Sequence, residues 1–249
     1  MMSVLVIGNQ KGGTAKTTTA AALAVLLSRS GQHVHVIDMD PQASLTAAFG
    51  QHDGEGLLYQ AMSQRAALPV VRLSETLTLT PSSIDLAKGE SQFVSETARE
   101  YLLKSCLEKS AIGQGGIVII DSPPSLGVLA VNCLAAARGL VVVVQPGGFE
   151  IRALAHLEQV VHLLKERVNP ALSIVGAVMT NAQPRRSINE QIREEIRQHY
   201  ADLGQVRSDS KLLYATTEGS ILNIKGCNAM DDYGDVLTRL KEVCPWLND

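Results

Sequence analysis

Aromatic side chains are scarce: one Trp, three Phe and five Tyr account for 4% of 249 residues, while 45% of the chain is hydrophobic. A core of this composition is aliphatic. The four cysteines (Cys106, Cys133, Cys227 and Cys244) are scattered without a C-x-x-C pair. That spacing argues against a zinc ribbon or a disulfide framework and fits a reducing, cytoplasmic setting. No apolar run reaches the length of a membrane span, and with the first apolar run beginning at Val4 no signal peptide is expected. Positive charge is not in excess either, with 22 Lys+Arg against 25 Asp+Glu. Any nucleic-acid contact therefore has to come from a local patch. The length suits one sizeable core, and residues 1–249 are expected to form a single domain.

Against these absences stands residues 3–19, SVLVIGNQKGGTAKTTT. A short β-branched run, Val4 to Ile7, reads as a buried strand, and the Gly-rich turn after it opens an Ala/Leu-rich helix. Small residues at Gly12, Gly13 and Thr14 let backbone amides close around a polyphosphate. Lys16 is placed to reach the β- and γ-phosphates, and the Thr17 hydroxyl to ligate Mg²⁺, with Ala15 and Thr18 completing the nucleotide contacts. ATP and Mg²⁺ are the expected cofactors. The ordinary pattern G-x-x-x-x-G-K-[ST] fails, since Gln10 and Ala15 occupy its two glycine positions. The variant K-G-G-x-x-K-T-T, with a second lysine at Lys11, fits without a gap.

Two further carboxylate segments have the right positions. His33 to Asp38 reads as a second buried strand that delivers Asp38-Met39-Asp40-Pro41-Gln42 at its carboxyl end. Ile117 to Asp121 is continuous aliphatic and ends in Asp121-Ser122-Pro123-Pro124-Ser125-Leu126-Gly127, an arrangement that sets a carboxylate beside a metal. His33 and His35 share a strand face and suggest a metal pair, but no third ligand is near, so packing or rim roles are the better reading.

The two-lysine loop, the D-x-D-P-Q and D-x-P-P-S-L-G segments, and Pro81-Ser82-Ser83-Ile84-Asp85-Leu86-Ala87 together resemble the ParA/MinD family of deviant Walker ATPases, and most of all its ParA branch. The resemblance implies that Lys11 crosses a nucleotide-sandwich homodimer formed only with ATP, and that Asp40 orients the attacking water. Lys11, Lys16 and Asp40 are then the catalytic set, and Thr17, Asp38, Asp40 and Asp121 surround the metal. It implies an adenine contact from Asn181. It also implies nonspecific DNA binding by the dimer through the C-terminal third, where Arg185, Arg186, Lys211 and Lys225 are the candidates. A ParB-like or adaptor protein would stimulate slow hydrolysis, and the ATP state would sit on the nucleoid while a plasmid, chromosome or protein body such as a carboxysome is positioned. Two departures stand out. Ala15 replaces the usual Gly, at about 1 kcal/mol if the loop needs a positive φ there. The segment Val206-Arg207-Ser208-Asp209-Ser210-Lys211 falls where the family has a Pro-Arg pair lining the base pocket, and here the proline is missing.

The remaining chain alternates apolar strands with helices. About seven strands are expected in one doubly wound α/β fold, a mainly parallel sheet with helices on both faces. Helices are expected over 95–109, 128–137, 149–165 and 188–200, the last of these exposed and carrying Arg193 and Arg197. Cys133 falls inside the Ala/Leu helix 128–137, a place for a small buried residue rather than an iron–sulfur ligand. A terminal helix, 231–247, groups Tyr233, Val236, Leu237, Leu240, Val243 and Leu247 on one face. Its opposite face is acidic rather than basic, which favours core packing over membrane anchoring. A MinD-like membrane regulator and a metabolic deviant-Walker enzyme are the alternatives.

Overall fold

The computed structural model describes residues 3–112, 115–146, 150–182 and 187–248. Eight strands form one sheet in the order β3-β4-β2-β5-β1-β6-β7-β8. They are β1 (Ser3–Gly8), β2 (Val34–Asp38), β3 (Val71–Arg72), β4 (Leu77–Thr80), β5 (Ile117–Asp121), β6 (Gly139–Val144), β7 (Ser173–Ala182) and β8 (Asp202–Arg207). Every pairing is parallel except that of the two-residue edge strand β3 with β4. Strands β1, β5 and β6 read as unbroken aliphatic runs because both faces are covered. Along β1, Leu5 and Ile7 enter one core layer while Val4 and Val6 enter the other.

The first layer packs beneath α1 (Lys16–Arg29), α9 (Ser210–Thr217) and α10 (Asn228–Val243). The second packs beneath α3 (Leu57–Gln64), α5 (Leu102–Lys109), α6 (Val128–Ala136) and α7 (Glu150–Arg167). Because α1 and α6 leave the adjacent strands β1 and β5 toward opposite faces, the loops at these strand ends diverge and open a crevice. Ligands enter such a crevice at the carboxyl ends of a parallel sheet.

Several expectations need correction. The described residues form eight strands where about seven apolar ones were expected: β8, DLGQVR, is too polar on its outward positions for a continuous apolar signal, and β3 is too short for any. The helix expected over 95–109 is α5 alone, preceded by a 3₁₀ turn at Arg99–Tyr101. The terminal helix α10 stops at Val243, since Pro245 cannot continue it and instead starts a 3₁₀ turn. Tyr233, Val236, Leu237 and Leu240 are buried as expected, but Val243 is 45% exposed. Each fully buried apolar side chain contributes about 1.5–3 kcal/mol, so this face belongs to the core. No helix among the described residues is long and apolar enough to cross a membrane. All four cysteines are buried, and burial raises the Cys133 thiol far above its usual range.

The histidine pair divides. His33 is exposed, while His35 is buried between the hydroxyls of Thr78 (2.8 Å) and Thr80 (2.9 Å). Burial lowers its pKa to about 3, so the ring is neutral and structural. Among the described residues no group of three or more His, Cys, Asp or Glu is placed to hold a metal by itself.

Candidate phosphate and base site

The loop between β1 and α1 passes through two left-handed positions, Gly13 and Ala15. Ala15, the residue ahead of α1, has φ 63° and ψ 31°, the left-handed conformation that the missing glycine would have entered without strain. Its carbonyl accepts the Thr19 amide at 2.9 Å and the Thr19 hydroxyl at 2.8 Å. Gly13 is also left-handed at φ +74°, and a Cβ added at Gly12 or Gly13 would meet no other part of the chain within 4 Å. The space before these amides is open to a ligand.

Side chains hold the loop from both sides. Asn9 donates to the Val143 carbonyl, Gln145 to the Gly13 carbonyl at 2.7 Å, and Thr180 to the Thr14 carbonyl at 2.9 Å. Neighbouring strands β6 and β7 thereby fix a loop that β1 carries. Lys11 lies exposed at the mouth. Lys16 is 7% exposed, and its ammonium donates to the Lys11 carbonyl at 3.0 Å. Burial lowers the Lys16 pKa, opposed by the charges of Asp121 and Asp40.

The carboxylates converge from two adjacent strands. Asp38 ends β2 in register with Asp121, which ends β5. Both are buried, and burial raises the pKa of each, Asp38 to about 6 and Asp121 well above the usual carboxylate range, where the neighbouring Asp38 adds to the effect. Their engagement differs. Asp38 accepts the Thr46 amide and hydroxyl at 2.8 Å each and the Asp40 amide at 3.2 Å, so both its oxygens are used. Asp121 accepts the Thr17 hydroxyl at 2.6 Å on Oδ2, while its Oδ1 is buried without a hydrogen-bond partner. A buried carboxylate oxygen without a partner is costly. Beside a threonine hydroxyl it has the donor set of a hard, oxygen-seeking cation that keeps most of its waters, and Mg²⁺ fits that set. Asp40 is half-buried and accepts the Gln42 amide at 3.0 Å.

Beyond the loop lies a cavity of about 630 Å³ that includes Gly13, Ala15, Thr18, Asn181, Arg207 and Tyr233 in its wall. That volume is in the range of a small-molecule site. Asn181 faces it from β7 with φ 52°, an asparagine using the left-handed tolerance that its short polar side chain allows. Arg207, in the segment that lacks the family's proline, is held by Asp232 through two bonds of 2.8 and 2.7 Å. Tyr233 was read from sequence as core alone. It also bonds the Thr19 hydroxyl at 2.9 Å, a link across 214 residues with no local signature. Gln145 and Thr180, at strand ends β6 and β7, were likewise legible only once the sheet order was known. A separate cavity of about 480 Å³ at the amino ends of β2 and β5 contains His33, His35 and Glu75 but lies away from the loop and its carboxylates.

The basic candidates fare unevenly. Arg185 and Arg186 fall outside the described residues. Arg193 and Arg197, on α8 (Ser187–His199), are both committed to Asp202, at 2.7 and 3.2 Å, which removes them from an open basic face. Lys211 donates to the Gly226 carbonyl at 3.0 Å beside exposed Lys225, and Arg29 donates to the Leu222 and Ile224 carbonyls. Three cations therefore surround one loop, and Arg29 was not among those the sequence singled out.

The model of a family described as an AAA domain matches residues 2–174. The sporulation initiation inhibitor protein Soj of Bacillus subtilis is 34% identical over 208 residues, 81% of each chain. Among solved structures, one titled cobyrinic acid a,c-diamide synthase from Mycobacterium smegmatis with bound ADP and magnesium is 34% identical. It covers 81% of this chain and 83% of its own, with a TM-score of 0.71. A putative plasmid partition protein from Borrelia burgdorferi bound to AMPPNP has a TM-score of 0.85 over 97% of this chain and 99% of its own. At 21% identity its likeness is one of fold.

Proposed function

Because the chain belongs to the ParA/Soj family of ATPases within the AAA-domain class, we propose that it is a partition-type ATP hydrolase. In this reading it pairs with a second copy when ATP is bound, holds DNA without regard to sequence, and releases it when a partner protein stimulates hydrolysis. The observation that carries the reading is the pairing of two lysines with an open amide loop, set against a buried Asp121 oxygen that lacks a partner.

In this mechanism the amides of Gly12, Gly13 and Thr14 receive the phosphates, and Lys16 exchanges the Lys11 carbonyl for phosphate oxygens. Their negative charge offsets the burial that lowers the Lys16 pKa. Thr17 and Asp121 would hold Mg²⁺, with Asp38 behind them fixing the Asp40 segment through Thr46 and the Asp40 amide. Mg²⁺, when bound, neutralises charge developing on the phosphate oxygens. Asp40, at the carboxyl end of β2, orients the attacking water. Asn181 and the wall around Arg207 receive the base in the 630 Å³ cavity. Lys11, exposed at the mouth, reaches the phosphates of the second copy. Lys211, Lys225 and Arg29 supply the DNA contacts, together with Arg185 and Arg186. A membrane-anchored alternative would need the apolar face of α10, which the core already uses.

A second reading rests on the Mycobacterium structures named as an amide synthase, which match this chain as well as Soj does. It takes the same site as that of an ATP-using ligase acting on a carboxylic acid, and it requires neither DNA nor a second copy.

Mass measured by light scattering separates the two. The partition reading predicts a monomer with ADP and a dimer with ATP. Asp40→Ala should make the ATP dimer persistent, and Lys11→Ala should abolish it while leaving ADP affinity within about twofold. A monomer in every nucleotide state would remove the sandwich-dimer reading.

A further inference from the structure

The loop from Ser122 to Gly127 links the Asp121 carboxylate to α6, and its two ends are anchored differently. At the β5 end, the Ser122 amide and hydroxyl both donate to the Ile7 carbonyl, at 3.2 and 3.0 Å. That ties the loop to the strand bearing the phosphate loop. Pro123 and Pro124 have no amide to donate. At the α6 end the anchor comes from another part of the chain: Glu90 Oε2 accepts the Val128 amide at 3.1 Å. This carboxylate supplies the capping acceptor that α6 lacks locally, since Gly127 has no side chain to cap it. It also lies at the positive end of the helix dipole.

The contact is close and incompletely satisfied. A Cβ on Gly127 would overlap Glu90 Oε2, so the carboxylate rests against the Gly127 backbone. Its other oxygen, Oε1, is buried without a hydrogen-bond partner. Glu90 sits on α4 (Gly89–Gln92), whose position is fixed by the adjoining Phe93, 1% exposed and stacked on Tyr59 at 5.6 Å. Glu90 lines neither the phosphate loop nor the base cavity.

We propose that Glu90 is a positioning residue for the loop 122–127: it sets the resting place of the loop beside Asp121, and thereby the rate of ATP hydrolysis, without contacting nucleotide. The inference rests on the ATPase reading of the site. A rigid core residue, Phe93, holds α4; α4 holds the carboxylate; the carboxylate holds the far end of the loop against the phosphate site. One charge-assisted bond with a partner-less second oxygen is a latch that the loop can leave and regain as the phosphate chain changes length.

Hydrolysis and hydrogen exchange on the full chain test it. Glu90→Ala should lower kcat for ATP about tenfold while the ADP dissociation constant stays within about twofold, since the phosphate loop is untouched. Glu90→Gln keeps an acceptor and should retain at least about half the wild-type rate. Gly127→Ala reaches the latch from the other side: its φ of −74° suits alanine, and the new methyl displaces only the end of a flexible side chain. It should reproduce the loss, and the double variant should be no worse than either single one, because both break one contact. Exchange of peptide 122–130 should differ between ATP and ADP in the wild type and lose that difference in Glu90→Ala. Lowered melting temperature with unchanged kcat in both Glu90→Ala and Gly127→Ala would overturn the proposal and leave Glu90 a helix cap. Absence of any ATP–ADP exchange difference in the wild type would overturn the ATPase-switch reading beneath it, a separate result.

Discussion

His35 illustrates how a single side chain makes this fold sensitive to acid. Its ring is enclosed by Thr78 and Thr80 and stays neutral in the folded protein down to about pH 3, whereas the unfolded chain takes up a proton near pH 6.5. Below that point the unfolded state binds more protons, so the contribution is fully present above pH 6.5 and is lost as pH falls. Between pH 7.5 and 5.0 the loss from this one group is about 2 kcal/mol. Urea unfolding at the two pH values checks it. His35→Gln should be destabilised at pH 7.5 yet lose about 2 kcal/mol less than the wild type on acidification, and an identical loss would contradict the assignment. At the same scale Ala15 shows a cost accepted: a left-handed alanine stands where glycine would be unstrained, and its carbonyl is held by Thr19 from two atoms.

At the scale of elements, α1 and α10 are joined by the Thr19–Tyr233 hydroxyl pair. Thr19 donates to the Ala15 carbonyl, so Tyr233 donates to Thr19 and ties the C-terminal helix to the turn that presents Lys16. Removing that donor leaves a buried acceptor short of one bond: Tyr233→Phe should cost about 1 kcal/mol in chemical unfolding, and no change would show that the hydroxyl pair contributes nothing. The elements also show what could be read in advance. Strands β1 and β5 were legible because burial on both faces makes them continuous aliphatic runs, and β2, interrupted by His35, was legible from Val34, Val36 and Ile37 around it and Asp38 at its end. Lys11, Lys16, Thr17, Asp38, Asp40 and Asp121 were legible because they sit at those ends. β8 alternates polar with apolar residues, and its neighbour pairs across a register shift, so it had no such signal. Glu90, Arg207 and Arg29 were invisible as partners because Val128, Asp232 and the 222–226 loop reach them only through tertiary structure.

For the whole molecule, the sheet order sets function by geometry. Adjacent strands send α1 and α6 to opposite faces, and the crevice so opened gathers the two-lysine loop, two aspartates and the 630 Å³ cavity at one edge. The chain carries a net charge of −3, so the DNA binding proposed for it would have to come from a local group of cations, doubled in the proposed dimer, rather than from bulk charge. Binding of that kind would be weak in a single copy, stronger in the pair and dependent on salt. The measurement that tests this account most directly is binding of the purified protein to nonspecific duplex DNA with ADP and with ATP, on the wild type and on Asp40→Ala. The account predicts sequence-independent, salt-sensitive binding that appears only with ATP and persists in Asp40→Ala. Equal binding with both nucleotides, or none with either, would contradict it.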